Sequence, residues 1–251
     1  MSQFKTILVT GASGGIGASL ARALATPGVT LLLWGRDGAR LAQTAAACAA
    51  LGAVCETQAF DIRDMDAQLA RLAAADDAHA IDLAIFNAGL GGSVDDDARA
   101  EDPVRARATA EVNFVAPVIG ASFIADRMAA RRQGRIVLVG SIAESFPLPM
   151  APTYSATKAG LAMFAEALSI REAKFGVGVT LISPGFIDTP MSRAVPEPKP
   201  FLMTSDDAAR RMVRGIRAGK RRIVVPWQFA LIRGASRLLP RAVLRAILSR
   251  A

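Results

Sequence analysis

The chain has 251 residues, 52% of them apolar, with 30 Lys and Arg against 22 Asp and Glu for a formal charge of +8, which suits one large α/β domain and is too apolar for a disordered chain. Two cysteines, Cys48 and Cys55, and one histidine, His79, exclude a four-ligand Cys/His zinc site and a disulfide scaffold; no metal is expected, and a Ser-His-Asp hydrolase would need His79, which the polar run Asp76-Asp77-Ala78-His79 reads as a solvated loop residue. The charge divides by position: residues 1–207 hold 18 basic and all 22 acidic side chains, net −4, whereas residues 208–251 hold 12 basic and no acidic ones, net +12.

The first predicted strand, Phe4–Thr10, has too short an apolar run for a secretion signal, so a cytoplasmic chain is expected. It runs into Thr10-Gly11-Ala12-Ser13-Gly14-Gly15-Ile16-Gly17 and then the helical pattern Ala18–Ala25. Glycines at such a strand-to-helix turn let the backbone bend sharply, approach a pyrophosphate and pack the helix closely, with the helix N-terminus favouring the anion. The second strand, Val29–Trp34, ends at Gly35-Arg36, where an acidic residue would bond an adenosine 2′-hydroxyl and an arginine would accept a 2′-phosphate. Arg36 therefore predicts NADP(H) in preference to NAD(H), and Asp37 reads as the cap of a helix to about Leu51.

Further strands are expected at Val54–Phe60, Ile81–Phe86, Arg135–Gly140, Val177–Ile182 and Arg222–Val225. Between them, Val112–Ala125 is uncharged but contains Asn113 and Pro117 and falls short of the roughly 20 apolar residues of a membrane span. Gly134 follows a helix ending near Arg132, and Thr204-Ser205-Asp206-Asp207 opens a helix that Gly219 closes. Strands apolar at nearly every position are buried on both faces. The expected fold is thus a doubly wound α/β domain over residues 1–225, a seven-stranded parallel sheet with helices on both faces, plus a helical extension at 226–251.

The fifth strand ends at Val139-Gly140-Ser141, and thirteen residues later Tyr154-Ser155-Ala156-Thr157-Lys158 opens a long helix. Tyr154, the sole tyrosine of the chain, and Lys158 are four apart and share a helix face. An ammonium near a phenol favours the phenolate and makes it a usable acid or base, and Ser141, at the carboxyl end of its strand, can bond the same substrate oxygen. Singly, each residue also reads as a turn serine, a core tyrosine or a solvated lysine; together they suit protonation of a carbonyl oxygen during hydride delivery.

The last 25 residues, Trp227–Ala251, place Arg233, Arg237, Arg241 and Arg245 at every fourth position among Leu, Ile, Val, Ala, Phe and Trp, with Pro240 suited to the first turn of a second helix. This pattern predicts peripheral contact with an anionic membrane and a lipid-like substrate. The alternative is that these helices cover the substrate cleft or a subunit interface. Nucleic-acid binding is not expected, because Trp227 and Phe229 are the tail's only aromatics and no reading motif accompanies them.

These motifs together resemble the short-chain dehydrogenase/reductase family, in its classical branch, over roughly residues 4–225. Thr10-Gly11-xxx-Gly15-x-Gly17 is similar to its cofactor loop, in which Ser13 and Ile16 also lie, and Asn87-Ala88-Gly89 to its motif after the fourth strand. Asn113 falls on its catalytic asparagine, and Ser141, Tyr154 and Lys158 complete its tetrad. Pro184-Gly185-Phe186-Ile187-Asp188-Thr189 is similar to the segment whose Ile187 backbone and Thr189 hydroxyl hold the nicotinamide carboxamide, and Asp61-Ile62 to its adenine contact.

The resemblance implies that Tyr154 exchanges the proton, Ser141 orients the carbonyl, Lys158 binds the nicotinamide ribose and depresses the tyrosine, and Asn113 holds a water linking Lys158 to solvent. It further implies a homodimer or homotetramer, and a substrate lid at about 188–205. Apolar residues there and before Tyr154, namely Phe146, Met150, Phe186, Met191 and Phe201, point to an apolar carbonyl or secondary alcohol as substrate. The three-residue gap between Tyr154 and Lys158 favours ketone/alcohol chemistry over enoyl reduction. Many NADP(H)-preferring relatives carry a basic residue where this chain has Gly14, so the cofactor preference rests on Arg36. The other readings are an NAD(H)-linked dehydrogenase of the same family and a non-catalytic dinucleotide sensor.

Overall fold

Thr6–Thr10 (β1) pairs in parallel with Thr30–Gly35 (β2) on one side and Leu83–Phe86 (β4) on the other. Its side chains alternate between two cores, Ile7 and Val9 on one face and Leu8 on the other, as the period of two in a strand requires. The same alternation holds in β2, with Leu31 and Leu33 opposed to Leu32 and Trp34, and in Gly134–Val139 (β5), with Val137 and Val139 opposed to Ile136 and Leu138. With Val54–Ala59 (β3), Val177–Pro184 (β6) and an edge strand at Arg222–Val225, all pairings are parallel and the order is β3, β2, β1, β4, β5, β6, then the edge strand. The computed structural model describes residues 4–236, except 93, 95–97 and 195–197.

Helices cover both faces. Gly15–Leu24 (α1), Gly38–Ala49 (α2) and Ser205–Arg217 build the core of one face, and Met65–His79 (α3), Ala116–Ala130 and Pro152–Glu172 that of the other. In chain order the remaining elements are Pro103–Ala110 (α4), with Ala116–Ala130 as α5 and Pro152–Glu172 as α6, Ile187–Asp188 (β7), Pro190–Arg193 (α7), Met203–Thr204 (β8), Ser205–Arg217 as α8, Arg222–Val225 as β9 and Gln228–Ser236 (α9). Asp37 caps α2 by accepting from the Arg40 amide at 3.0 Å, and Thr204 caps α8 by accepting from the Asp207 amide at 3.2 Å, where the sequence placed both starts.

Three local readings differ. β3 is an edge strand, Val-Cys-Glu-Thr-Gln-Ala, with Val54, Glu56, Thr57 and Ala59 exposed and Cys55 and Gln58 half-buried, rather than buried on both faces. His79 is the last residue of α3, not part of a loop, and its Nε2 meets the Glu56 carboxylate at 2.9 Å. Finally, α4 and α5 are joined through a π-turn at Glu111–Val115 into one helix over Pro103–Ala130, which by length and composition alone could cross a membrane. Ala116, Ala121, Ile124 and Met128 on it are fully buried in the protein's own core. Residues 237–251, with Arg237, Pro240, Arg241 and Arg245, lie outside the described residues.

Candidate active site

The strand order reverses between β1 and β4, and open parallel sheets bind ligands at the carboxyl side of such a point. A cleft of about 550 Å³ opens there, running from the glycine loop past Asn87-Ala88-Gly89 to Ser141, Tyr154 and Lys158. Thr10 ties the two strand ends together: its hydroxyl accepts from the Asn87 and Ala88 amides at 3.0 and 3.1 Å, and the Asn87 side chain donates back to the Thr10 carbonyl at 3.1 Å.

The glycines of this loop have separate jobs. Gly11 adopts φ +68°, a left-handed conformation that L side chains rarely adopt, and a Cβ there would lie 2.8 Å from Ala88 Cα. A Cβ on Gly17 would lie 2.2 Å from the Gly11 carbonyl oxygen, so its smallness serves the close seating of α1 on the loop. Gly14 faces open space at the cleft, beside Ser13, Gly15 and Ile16. The result is a bare backbone cradle at the N-terminus of α1, with the shape and polarity that a dinucleotide pyrophosphate requires.

Arg36, just past β2, is exposed at the cleft rim, and so is Arg40, one turn into α2, which the sequence reading missed. Ser13 lies beside them, its Oγ 3.1 Å from where a Cβ on Gly35 would sit. Ile62 lines the cleft, but Asp61 is engaged by Arg63, with Nη2 to Oδ2 at 2.6 Å, which holds its carboxyl below the usual range. Pro184, Gly185, Ile187 and Thr189 line the opposite wall. Thr189 also caps α7, accepting from the Ser192 amide at 3.2 Å.

Ser141 ends the turn after β5 and accepts from the Ala143 amide at 3.1 Å, capping the short 3₁₀ turn Ile142–Ser145. Tyr154 and Lys158 project from the first turns of α6, with Lys158 Nζ 5.7 Å from the phenol ring centroid. Lys158 is buried and donates to the Val139 carbonyl at 3.1 Å. Burial pushes its ammonium down to about 8, partly opposed by the Glu144 carboxylate. Burial also pushes the Tyr154 phenol above the ordinary tyrosine value, and a hydrogen bond from Ser141 works the other way. Of these two influences on the phenol, desolvation is the larger. Asn113, buried in the π-turn, is locked to Leu90: it accepts from that residue's amide at 2.7 Å and donates to its carbonyl at 2.9 Å. A π-turn in a long helix often marks a functional site, and here Asn113 Oδ1 and Lys158 Nζ both approach Gly89, 3.4 and 3.8 Å from where its Cβ would be.

Phe146, Met150, Phe186 and Met191 line the same cleft as Tyr154, joined by Leu148. Phe201 is a correction: it sits at φ +59° outside the cleft lining and meets the Phe229 ring edge-on at 5.7 Å. Phe229, on α9, in turn contacts Phe186 at 6.1 Å. Glu144 was not foreseen either; its side chain is 3% exposed and gathers Arg222 and Ser183 from far along the chain.

A family model described as short chain dehydrogenase matches residues 5–200. An uncharacterized oxidoreductase of Myxococcus xanthus is 35% identical over 238 residues, covering 94% of this chain and 93% of that protein. Ketoacyl reductase HetN of a Nostoc species is 34% identical over 187 residues, 73% of this chain and 63% of its own length. Among solved structures, a short-chain dehydrogenase from Sphingobium yanoikuyae in complex with NADPH superposes with a TM-score of 0.82 at 26% identity, covering 93% of this chain and 94% of that one. A seven-stranded parallel sheet, a glycine cradle at its switch point and a Ser-Tyr-Lys group at the end of the same cleft thus belong to a chain of known kind: it is a member of the short-chain dehydrogenase family, an NAD(P)-dependent oxidoreductase acting on CH–OH groups.

Proposed function

We propose that this protein is an NADP(H)-dependent ketoreductase or secondary-alcohol dehydrogenase for apolar substrates. The observation that carries the reading is the cleft's composition: among the described residues its lining holds Arg36, Arg40 and Lys158 and no carboxylate, and it holds Phe146, Leu148, Met150, Phe186 and Met191 together with Tyr154. At the adenosine end Arg36 and Arg40, with Ser13, bind the 2′-phosphate, while the loop amides of Gly14–Ile16 hold the pyrophosphate. A bound nicotinamide supplies the hydride chemistry. Tyr154 gives its proton to the substrate oxygen, or takes it in the reverse direction, and Ser141 hydrogen-bonds the same oxygen. Lys158 binds the ribose hydroxyls, and Asn113 keeps the Gly89-Leu90 turn beside it in place. The apolar walls seat the substrate's chain and keep water from the reacting carbon.

The experiment is NADPH oxidation with a panel of medium-chain ketones and 3-oxoacyl thioesters set against small polar ketones, run in parallel with NADH. The reading predicts faster turnover as the apolar part grows and a preference for NADPH. Turnover confined to polar substrates, or a preference for NADH, would refute it.

A second proposal concerns the tail. Trp227, Leu231 and Ile232 are exposed on and beside α9, and the sequence that follows carries arginine at 237, 241 and 245 among apolar residues, a combination suited to an anionic bilayer that would place the enzyme beside lipid-like substrates. Co-sedimentation with phosphatidylglycerol vesicles, but not with phosphatidylcholine vesicles, is expected, and removal of residues 237–251 should weaken it. Equal partition to both vesicle types, or to neither, would refute the idea.

A further inference from the structure

Helix α9 presents a different set of residues inward. Phe229 is buried, packs against Phe186 and Phe201, and stands where a side chain on Gly185 would be, 2.4 Å from the position of its Cβ. It therefore touches the wall segment Pro184–Ile187 directly. One turn later Arg233 Nε reaches the Glu144 carboxylate at 3.5 Å. Glu144 belongs to the turn that Ser141 caps, and its Oε2 would lie 3.3 Å from a Cβ on Gly140. The same carboxylate pairs with Arg222 of β9 and accepts from Ser183 Oγ at 3.0 Å.

Glu144 does not line the cleft. A carboxylate buried this completely is costly to desolvate; Ser183 of β6 and Arg222 of β9 hydrogen-bond it, and the Arg233 guanidinium of α9 adds an ion-pair contact. Glu144 and Ser141 share one short turn, so holding the carboxylate also holds the turn that Ser141 caps. The groups facing Lys158 are Tyr154 on its own helix, the Val139 carbonyl on β5 and Asn113 across Gly89, and the charge acting on it is Glu144.

We propose that α9 is a working part of the active site, with Glu144 a positioning residue for Ser141 and Lys158 and Arg233 the contact through which the C-terminal helix holds it. The inference rests on the catalytic assignment of Ser141, Tyr154 and Lys158. A tail engaged elsewhere through its outer face would then act on turnover through the Arg233 contact.

The test uses the full chain with whichever ketone the panel identifies, and compares Glu144→Gln, Glu144→Asp, Arg233→Met and the Gln/Met double variant, with NADPH affinity and melting temperature measured alongside. Misplacing a catalytic group by about an ångström costs up to about a hundredfold. The expected result is a loss of kcat of about tenfold or more in Glu144→Gln, with NADPH affinity within about twofold of the parent and partial recovery in Glu144→Asp. Without the Glu144 charge, the alkaline limb of the kcat profile moves to lower pH, a change that a purely structural role would not produce. Arg233→Met should lose kcat several-fold, and the double variant should lose less than the product of the two single losses. If Glu144→Gln fails to fold, Arg233→Met decides, since its partner keeps Arg222. A folded variant that retains the parent's kcat and pH profile, even with a lowered melting temperature, overturns the proposal. Retained turnover in Tyr154→Phe would instead overturn the catalytic assignment beneath it.

Discussion

Lys158→Met should make this protein more stable at neutral pH while destroying its activity. The ammonium is buried with the Val139 carbonyl as its one hydrogen-bond acceptor among the described residues, and burial lowers it from an ordinary 10.5 to about 8. The sign follows from which state binds the proton more tightly. Below pH 8 both states are protonated and the folded protein bears the whole burial penalty, a shift equivalent to about 3 kcal/mol. Between about pH 8 and 10.5 the unfolded chain still holds a proton that the folded one has released, so stability gains with pH and the penalty falls below about 1 kcal/mol by pH 10. Methionine keeps the apolar stem and forfeits the bond to Val139, worth about 1 kcal/mol. The variant should therefore exceed the parent by about 2 kcal/mol at pH 7 and about equal it at pH 10. Urea denaturation of both proteins at the two pH values reads this directly, because the groups remote from Lys158 titrate alike in the pair. A methionine variant no more stable than the parent at pH 7, or a difference that ignores pH, would refute the reasoning.

Other expectations follow from the same geometry. Arg36→Asp should weaken NADPH binding by about 1.5–3 kcal/mol, the range of a charge-assisted bond, and strengthen NADH binding, measured by quenching of Trp34, which lines the cleft; an unchanged ratio of affinities would show that Arg36 does not read the 2′-phosphate. Tyr154→Phe should lower kcat at least about a hundredfold with cofactor affinity intact, checked by single-turnover absorbance at 340 nm. Gly17→Ala places a methyl 2.2 Å from the Gly11 carbonyl oxygen, so it should abolish cofactor binding or folding, visible by dye binding or calorimetry. Asp76 is buried and its carboxyl is held low, burial notwithstanding, by Arg131 and Arg127. Asp76→Ala should cost about 3–5 kcal/mol at pH 7, and in the parent the share of this that comes from holding the carboxyl low, full above the ordinary aspartate value, is lost as pH falls from that value through the lowered one.

How much of this was legible depended on how local each feature is. The glycine loop, the Ser141–Tyr154–Lys158 spacing and the caps Asp37 and Thr204 are set by neighbours in the chain, and the alternation of Ile7, Leu8 and Val9 encodes a strand with cores on both sides. Arg40 was missed because its place at the rim follows from the turn by which α2 leaves β2, not from any pattern. Phe201 was assigned to the cleft on hydrophobicity alone, which cannot say whether a bulky ring faces inward or meets Phe229 28 residues later. The Glu144 cluster was beyond sequence reading, since its partner Arg222 lies 78 residues away and joins it only once β6 and β9 are paired. The environment of Tyr154 was hidden for a related reason: the four-residue spacing shows that a lysine is near, but only the packed cleft shows how far the phenol is desolvated.

The division of charge along the chain acquires a different meaning once the fold is known. From sequence, the basic segment after residue 207 was a surface property, a question of where the protein sits. Two of its arginines, Arg222 and Arg233, instead turn inward and neutralise a carboxylate three residues past the catalytic serine, and in doing so let an acidic group be buried where it can hold up the Lys158 ammonium. Burial alone would weaken that ammonium at the pH where it is needed, and bulk solvent would screen any compensating charge. A buried carboxylate opposes the first effect and escapes the second, provided that its own charge is matched from elements far away in sequence. The C-terminal segment is thus tied to the chemistry by the electrostatics of a single site, which is why a change in α9 should be read in a pH profile as well as in a binding isotherm.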